Sequence, residues 1–223
     1  APPSRKPMLR IGTHNVRGLL GGESLMNVKP KLEQHIERWE KLQLDAVLLQ
    51  ETQVKHAQTR RGGYLYRALC TDSPGMMKGA WKCVWAHAPE GGSRSGGTAI
   101  FIRRKLIANQ SVKIDRIYDT SPPTMPSHTP PSEAAAYQTD RLTAVRIKWG
   151  GHVLQLASAY LPSGNNSGIK AMISTRMSAL LHKSREDGSQ PVWGGDWNFV
   201  VNNSQDRMTQ IFDHTGQAVS RIC

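Results

Sequence analysis

Apolar residues along this chain recur at two spacings, one typical of β-strands and the other of α-helices. Continuous or alternating apolar stretches, which predict strands, occupy Met8–Asn15, Asp45–Thr52, Gly96–Arg104, Ser111–Tyr118, Arg141–Pro162 and Pro191–Gly195. The longest of these has two glycines at its centre, Gly150 and Gly151, with strand-like sequence on both sides. That arrangement predicts a hairpin.

Two other stretches place apolar residues three or four positions apart. In Lys31–Gln43 the stripe consists of Leu32, Ile36, Trp39 and Gln43, and Pro30 marks the predicted helix start. The second predicted helix covers Ser167–Ser184, with a stripe made of Ile169, Met172, Ile173, Leu180 and Leu181. Strands outnumber helices and many are hairpin-like, so the pattern predicts an α/β fold with two packed sheets and helices outside them, not a doubly wound parallel sheet.

The length of 223 residues fits one domain spanning residues 1–223. One segment departs from the regular pattern. Residues 119–140 contain five prolines, at Pro122, Pro123, Pro126, Pro130 and Pro131. This composition disfavours a regular element, so we expect a surface insertion between two strands.

The charge of the chain changes the picture of its partners. There are 29 Lys and Arg against 17 Asp and Glu, a formal net charge of +12. Such an excess indicates a polyanionic partner, either nucleic acid or an anionic membrane. No run approaches the roughly 18 apolar residues of a membrane span, which favours nucleic acid. The three cysteines, Cys70, Cys83 and Cys223, have no C-x-x-C spacing, so we expect no disulfide framework and no zinc site. This cysteine content predicts a reducing compartment.

Polar residues stand where four of the predicted strands end. They are Asn15, Glu51, Tyr160 and the pair Asp196 and Asn198. Strand ends at one edge of a packed domain converge on a crevice, so these side chains are expected to meet. Acids with amide neighbours can hold a hard divalent cation, and a second acid can deprotonate water. Each residue also has an ordinary explanation, such as a turn, a cap or a core tyrosine.

The motifs around these residues resemble the endonuclease/exonuclease/phosphatase superfamily. They are "THNVRGL" (Thr13–Leu19), "LLQET" (Leu48–Thr52), "RSGGTAIFIRR" (Arg94–Arg104), "AYLPS" (Ala159–Ser163), "GGDWNFV" (Gly194–Val200) and "QDR" (Gln205–Arg207). Their order and the "NVRGL" variant are most similar to the apurinic-endonuclease-like domain of non-LTR retrotransposons. The resemblance implies a DNase I-like four-layer sandwich.

The resemblance also implies a role for each strand-end residue. Glu51 matches the metal-binding glutamate, and Asn15 the asparagine of the metal and water shell. Tyr160 matches the tyrosine at the scissile phosphate, Asp196 the aspartate that activates water, and Asn198 the asparagine that steadies both. The expected DNA contacts are Arg17, Arg94, Ser95 and Arg207. We further expect the two glycines before Asp196 to allow a tight turn at the sheet edge.

The implied reaction is Mg²⁺-assisted hydrolysis of a phosphodiester in double-stranded DNA, with Mn²⁺ as a substitute ion. It would leave a nick with a 3′-hydroxyl, which in a retroelement primes reverse transcription by a separate domain of the same polypeptide. The expected place of action is the nucleus, with the cytoplasm as the alternative.

Family members carry a later Asp/His motif, which is not matched here after Arg207. Asp213–His214 comes only 17 residues after Asp196, before any further strands could fit. We therefore expect the domain to be incomplete at its C-terminus and do not assign His214 a catalytic role. Two alternatives stay open. One is a phosphodiesterase of the same superfamily that acts on another phosphate ester, and the other is a non-catalytic DNA-binding module.

Overall fold

Two four-stranded mixed sheets form the centre of the fold. The first contains β1 (Ile11–Asn15), β2 (Ala46–Gln50), β3 (Trp81–Ala86) and β4 (Thr98–Arg103), in the spatial order β1-β2-β4-β3. The second contains β5 (Val112–Ile117), β6 (Leu142–Trp149), β7 (His152–Tyr160) and β8 (Gln190–Asp196), in the order β5-β6-β7-β8. The predicted fold class, two packed sheets flanked by helices, is confirmed.

This computed structural model describes residues 8–19, 25–61, 65, 80–88, 96–118, 141–162, 167–198, 211–212 and 218–219. Several predictions fall outside these ranges and are not tested by the structure. They concern the insertion at 119–140, the expected DNA contacts Arg94, Ser95 and Arg207, and the unassigned His214.

The described helices are α1 (Leu25–Lys41), α2 (His56–Thr59), α3 (Arg104–Ala108) and α4 (Ser167–Glu186). None of them is long and apolar enough to cross a membrane. Two short strands, β9 (Ile211–Phe212) and β10 (Ala218–Val219), pair antiparallel as a separate ribbon. The sequence pattern did not predict these two-residue strands.

Each sheet contains one parallel strand pair, and a long helix connects the two strands of that pair. In the first sheet β1 pairs parallel with β2 across α1, and in the second β7 pairs parallel with β8 across α4. All other pairs within the two sheets are antiparallel. Parallel strands end at the same edge of a sheet, so each β-α-β unit delivers two strand ends side by side.

Three apolar clusters make the layers cohere. Between the sheets, Leu48 and Ile100 of the first pack with Val145 and Leu156 of the second. The outer face of the first sheet is covered by α1, where the Trp39 ring contacts Trp81 and Phe101 edge to face. The outer face of the second sheet packs around Leu142, Ala144, Ala157, Ala159 and Leu180 of α4. The molecule is therefore a helix–sheet–sheet–helix sandwich.

The hairpin prediction is confirmed, and the bounds of the first helix need correction. Trp149 pairs with His152 across Gly150–Gly151, as the two-residue turn requires. Helix α1 begins at Leu25, so Pro30 lies within the helix and not at its start, although a proline there removes one helical hydrogen bond and crowds the preceding turn. The helix ends at Lys41, and Gln43 (φ 53°) is the left-handed residue after it. The Gln43 N–H bonds Glu40 O and the Leu44 N–H bonds Trp39 O, the pairing of a Schellman motif.

A polar network on the outer face of the second sheet fastens the end of α4 to β5 and β6. The Asp187 carboxylate accepts hydrogen bonds from Ser189 Oγ (2.6 Å) and Tyr118 OH (2.9 Å), and it lies 3.0 Å from Arg146 Nη1. Burial opposes ionisation of Asp187, but the Ser189, Arg146 and Tyr118 donors outweigh it and lower the pKa to about 2. Arg146 also binds Asp115, its Nε lying 2.7 Å from Asp115 Oδ2.

We expect Asp187→Asn to destabilise the fold by about 1–3 kcal/mol at neutral pH, since the partly buried Arg146 loses a charged acceptor. Because the folded pKa is depressed, this contribution is complete above the unfolded pKa near 4 and is lost as the pH falls through about 2. Urea unfolding of both proteins at several pH values checks this. The difference in unfolding free energy should shrink between about pH 4 and pH 2, and a difference that stays constant would contradict the assignment.

Candidate active site

The carboxyl ends of β1, β2, β7 and β8 meet at one end of the sandwich. They surround an open cavity of about 640 Å³, lined by Thr13, His14, Asn15, Gln50, Gly195, Asp196, Trp197 and Asn198. The two β-α-β units thus contribute one half of the site each. The structure brings together the five strand-end residues that the sequence singled out.

The Asn15 side chain joins the two halves. Its Nδ2 lies 2.8 Å from Glu51 Oε1 of the first sheet and 2.6 Å from Asp196 Oδ2 of the second. Its Oδ1 accepts the backbone N–H of Arg17 at 3.1 Å, which fixes the amide orientation. Since one nitrogen donates to both carboxylates, the two acids are held close together without direct contact.

Glu51 reaches the Asn15 side chain because the backbone leaves the strand conformation at this residue. Gln50 points toward the second sheet, where its Nε2 bonds Ser158 Oγ, so strict alternation would turn Glu51 toward the helix side. Glu51 instead has a φ of 51°, in the left-handed region. Such a backbone costs of order 1–3 kcal/mol in a residue other than glycine and is concentrated at functional sites.

Backbone hydrogen bonds to the segment after β1 and to the residue before β4 hold the loop that carries Glu51. Gly18 N–H donates to Glu51 O at 2.6 Å, and Thr52 N–H donates to Gly97 O at 2.9 Å. A Cβ atom at Gly97 would lie only 2.4 Å from Thr52 Oγ1. The "SGG" motif therefore lets β4 approach the Glu51 loop closely.

Asp196 and Asn198 form a compact turn at the end of β8. The Asn198 N–H donates to Asp196 Oδ1 at 3.2 Å, and Asn198 Nδ2 donates to the Leu161 carbonyl at 2.6 Å. Asn198 has a φ of 44°, a conformation that asparagine tolerates better than most residues. These contacts tie the end of β8 to the chain just after β7 and fix the Asp196 carboxylate beside Asn15.

Tyr160 is buried at the end of β7, next to Arg141. The Arg141 guanidinium lies over the Tyr160 ring, 4.6 Å from its centroid. Burial raises the Tyr160 pKa, the nearby Glu51 charge raises it further, and Arg141 opposes both. The phenol is therefore a protonated hydrogen-bond donor at neutral pH. Arg141 was not predicted as a site residue, although the register of the Gly150–Gly151 hairpin places it opposite Tyr160.

The expected explanation for the two glycines before Asp196 is wrong. Gly194 and Gly195 lie inside β8, and neither has a positive φ, so they do not form a turn. A Cβ atom at Gly194 would lie 2.8 Å from Thr13 Cβ and 3.0 Å from Leu48 Cδ1 of the other sheet. At Gly195 it would lie 2.5 Å from the Ala159 carbonyl oxygen. The glycines are required because the neighbouring strands come so close.

The donor set suits a hard divalent cation. Glu51 and Asp196 offer carboxylate oxygens, and Mg²⁺ is commonly held by one or two carboxylates together with water and substrate phosphate. Among the described residues there is no cluster of three His, Cys, Asp or Glu side chains, so a closed all-protein cage is not formed there. Asn15 turns its nitrogen toward the acids, so in this arrangement it orients them, whereas its predicted role in the metal shell would require its oxygen.

Family comparison agrees with this architecture. The model of the endonuclease/exonuclease/phosphatase family matches residues 12–216. The chain belongs to this family. Enzymes of the family hydrolyse phosphoester bonds, and its nucleases generally use divalent metals. No curated protein matches the chain by sequence.

Solved structures of low sequence identity share the fold. The human nocturnin catalytic domain has a TM-score of 0.57 and 12% identity, with 91% of this chain and 68% of that one covered. Humanised zebrafish (D. rerio) TDP2 has a TM-score of 0.52 and 19% identity over 86% and 63% of the two chains. The Xenopus laevis APE2 catalytic domain gives 0.51 and 16% over 85% and 58%. The chain therefore spans roughly six tenths to two thirds of the length of these structures.

We expect Gly194→Ala to force the two sheets apart at the site, because its Cβ would overlap Thr13 and Leu48 of the facing sheet. Overpacking of this kind costs about 1–3 kcal/mol. Gly168→Ala is the matched control, since a Cβ there meets nothing within 4 Å and alanine favours the helix. Thermal unfolding compares the two variants. Equal melting temperatures would show that the sheets do not need glycine at residue 194.

Proposed function

We propose that this protein is a metal-dependent DNA endonuclease that hydrolyses one phosphodiester bond and leaves a nick with a 3′-hydroxyl. The observation that carries the proposal is the pair of carboxylates from two different sheets, Glu51 and Asp196, held by the single Asn15 nitrogen. This arrangement offers one acid for a cation and a second for water.

In the proposed reaction, Asp196 accepts a proton from the attacking water. Its carboxylate is oriented for this by the Asn15 amide and the Asn198 N–H. The water oxygen forms a bond to phosphorus, the bond from phosphorus to the 3′ oxygen breaks, and that oxygen takes up a proton from solvent. The Tyr160 hydroxyl, which bonds Glu51 before substrate binds, turns its hydrogen bond to a phosphate oxygen of the bound DNA, and Arg141 adds positive charge beside it.

Glu51 is the residue we assign to hold Mg²⁺ or Mn²⁺, with Asn15 beside it. When bound, the cation stabilises the negative charge that develops on the phosphate and the leaving oxygen. The Glu51 carboxylate is otherwise engaged by Asn15 and by Tyr160, both neutral groups, and the described residues place no cationic side chain in direct salt bridge with it. A cation held by Glu51 would add positive charge next to this carboxylate.

The net charge of +12 supports double-stranded DNA as the substrate, because phosphate backbones bind basic surfaces. The TDP2 structure from D. rerio was solved with a single-strand DNA product. Arg17, two residues after β1 ends, is exposed, and we assign it a phosphate contact. Arg94, Ser95 and Arg207 remain proposed contacts on motif resemblance alone.

The finer assignment is to the endonuclease domain of a non-LTR retrotransposon. It is supported by the motif set from "THNVRGL" to "QDR" and by the basic composition. In this role the 3′-hydroxyl primes reverse transcription by a domain that follows in the same polypeptide, and the site of action is the nucleus.

Asp196→Asn should lower the nicking rate on supercoiled plasmid by about 10²- to 10⁴-fold, the usual contribution of a general base. DNA affinity, measured by fluorescence anisotropy, should not fall, because the basic surface is unchanged. Glu186→Gln, which removes the same charge from an exposed position on α4, should nick at the wild-type rate.

The same assay separates the alternatives. Mg²⁺-dependent nicks that a DNA polymerase extends directly support the proposal. Hydrolysis of inositol phosphates or sphingomyelin without nicking would favour a different phosphoester substrate. Salt-dependent DNA binding by a wild-type protein that cleaves nothing would make the chain a binding module.

A further inference from the structure

A buried polar bridge connects the two sheets directly beneath the candidate active site. Gln50, only 1% exposed, ends β2 and donates its Nε2 to Ser158 Oγ of β7 at 2.9 Å and to the Leu48 carbonyl at 3.0 Å. Its Oε1 accepts Thr13 Oγ1 at 3.3 Å. Ser158 Oγ in turn donates to the Leu49 carbonyl at 2.7 Å. The Gln50 amide thus bonds three elements, β1, β2 and β7.

The bridge lies two residues before the catalytic residues along the strands, on the core side of the site. On β1 and β7, Thr13 and Ser158 lie two residues before Asn15 and Tyr160, and on β8 Gly194 lies two residues before Asp196. Residues two apart on a strand share a face. Thr13 therefore lies directly below Asn15, and Ser158 directly below Tyr160, on the faces that lead to the site. Gln50 immediately precedes Glu51, and its own carbonyl accepts the Val16 N–H at 3.0 Å.

The rest of the space between the sheets is mainly apolar, and apolar contacts, although closely packed, are not directional. Hydrogen bonds are directional and lose strength steeply when the groups shift. The Gln50–Ser158 bond therefore fixes the lateral position of β2 relative to β7. That position sets the spacing between the half-site of Asn15 and Glu51 and the half-site of Tyr160 and Asp196.

We infer that Gln50, acting through its hydrogen bond to Ser158, is a positioning residue that sets the spacing between the two halves of the site. The inference rests on the proposed function, since the spacing matters for holding a cation and a phosphate between the sheets. The Gln50–Ser158 hydrogen bond itself touches neither the cation nor the phosphate.

The test uses Gln50→Met, which keeps the length of the side chain and removes its amide. Ser158 keeps its bond to Leu49, and the Thr13 hydroxyl is exposed to water, so little is left unsatisfied. We expect kcat for nicking to fall about 10- to 100-fold with KM for DNA nearly unchanged, the usual size of a supporting-contact effect. Mn²⁺ affinity of the protein without DNA, measured by calorimetry, should fall by a similar factor.

The matched control is Thr143→Val, which removes another buried hydrogen bond between the sheets. Thr98 Oγ1 and Thr143 Oγ1 are 2.7 Å apart, but they connect β4 to β6, which do not carry the two carboxylates. This variant should lose stability about as much as Gln50→Met while retaining kcat and Mn²⁺ affinity. If activity depended only on stability, kcat and Mn²⁺ affinity would fall in both variants to the same extent, and the inference would be overturned.

Ser158→Ala removes the other partner of the same bond. If the bond sets the spacing, Ser158→Ala should reproduce the kcat and Mn²⁺ defects, and the double variant should be no worse than the more severe single variant. Gln50→Met with wild-type kcat and Mn²⁺ affinity would overturn the inference while the proposed function stands. A wild-type protein that neither binds Mn²⁺ nor nicks DNA would overturn the proposed function, and the inference with it.

Discussion

The candidate site depends on one shared donor, the Asn15 side-chain nitrogen. It bonds Glu51 of one sheet and Asp196 of the other, residues 36 and 181 positions away in sequence. Two carboxylates repel each other unless a donor or a cation lies between them. Asn15 supplies such a donor, and the remaining contacts at the site keep the two acids within its reach. The left-handed Glu51 backbone and the Asp196–Asn198 turn both serve this arrangement.

Close approach of the two sheets is the second constraint, and it explains residues that otherwise look like turn formers. Gly194 admits Thr13 and Leu48 of the facing sheet, whereas Gly195 admits the Ala159 carbonyl of β7, the neighbouring strand in its own sheet. Gln50 and Ser158 then fix the lateral position that the apolar core leaves free. The two sheets are therefore close together and joined by polar groups immediately below the cavity, where a small shift would separate the two acids.

Much of this arrangement follows from the sequence because local signals agree with the global fold. The Gly150–Gly151 turn, the apolar strands and the polar residues at their ends predicted the sandwich and the five residues that meet at one edge. Other features depended on contacts that the sequence does not show. Gln43 continues the helical spacing of Leu32, Ile36 and Trp39, so the sequence did not show that the helix ends before it. Strand β3 was not predicted either, because its tryptophans are buried by packing against α1, a contact that the sequence does not show. Arg141 could have been found by counting the hairpin register outward from its turn.

The site assignments themselves rest on position and chemistry, and a double-mutant cycle tests them most directly. The measurement is Mn²⁺ affinity by calorimetry for the wild type, Glu51→Gln, Asp196→Asn and the double variant. We expect Glu51→Gln, which removes the assigned ligand, to bind Mn²⁺ much more weakly. Asp196→Asn, which removes a negative charge that Asn15 holds beside the site, should weaken Mn²⁺ binding to a smaller extent. The double variant should lose less Mn²⁺-binding free energy than the sum of the two single losses, because both carboxylates belong to one site. Independent, additive losses, or a Glu51→Gln variant that binds Mn²⁺ as the wild type does, would contradict the claim that two sheets build one metal-dependent site.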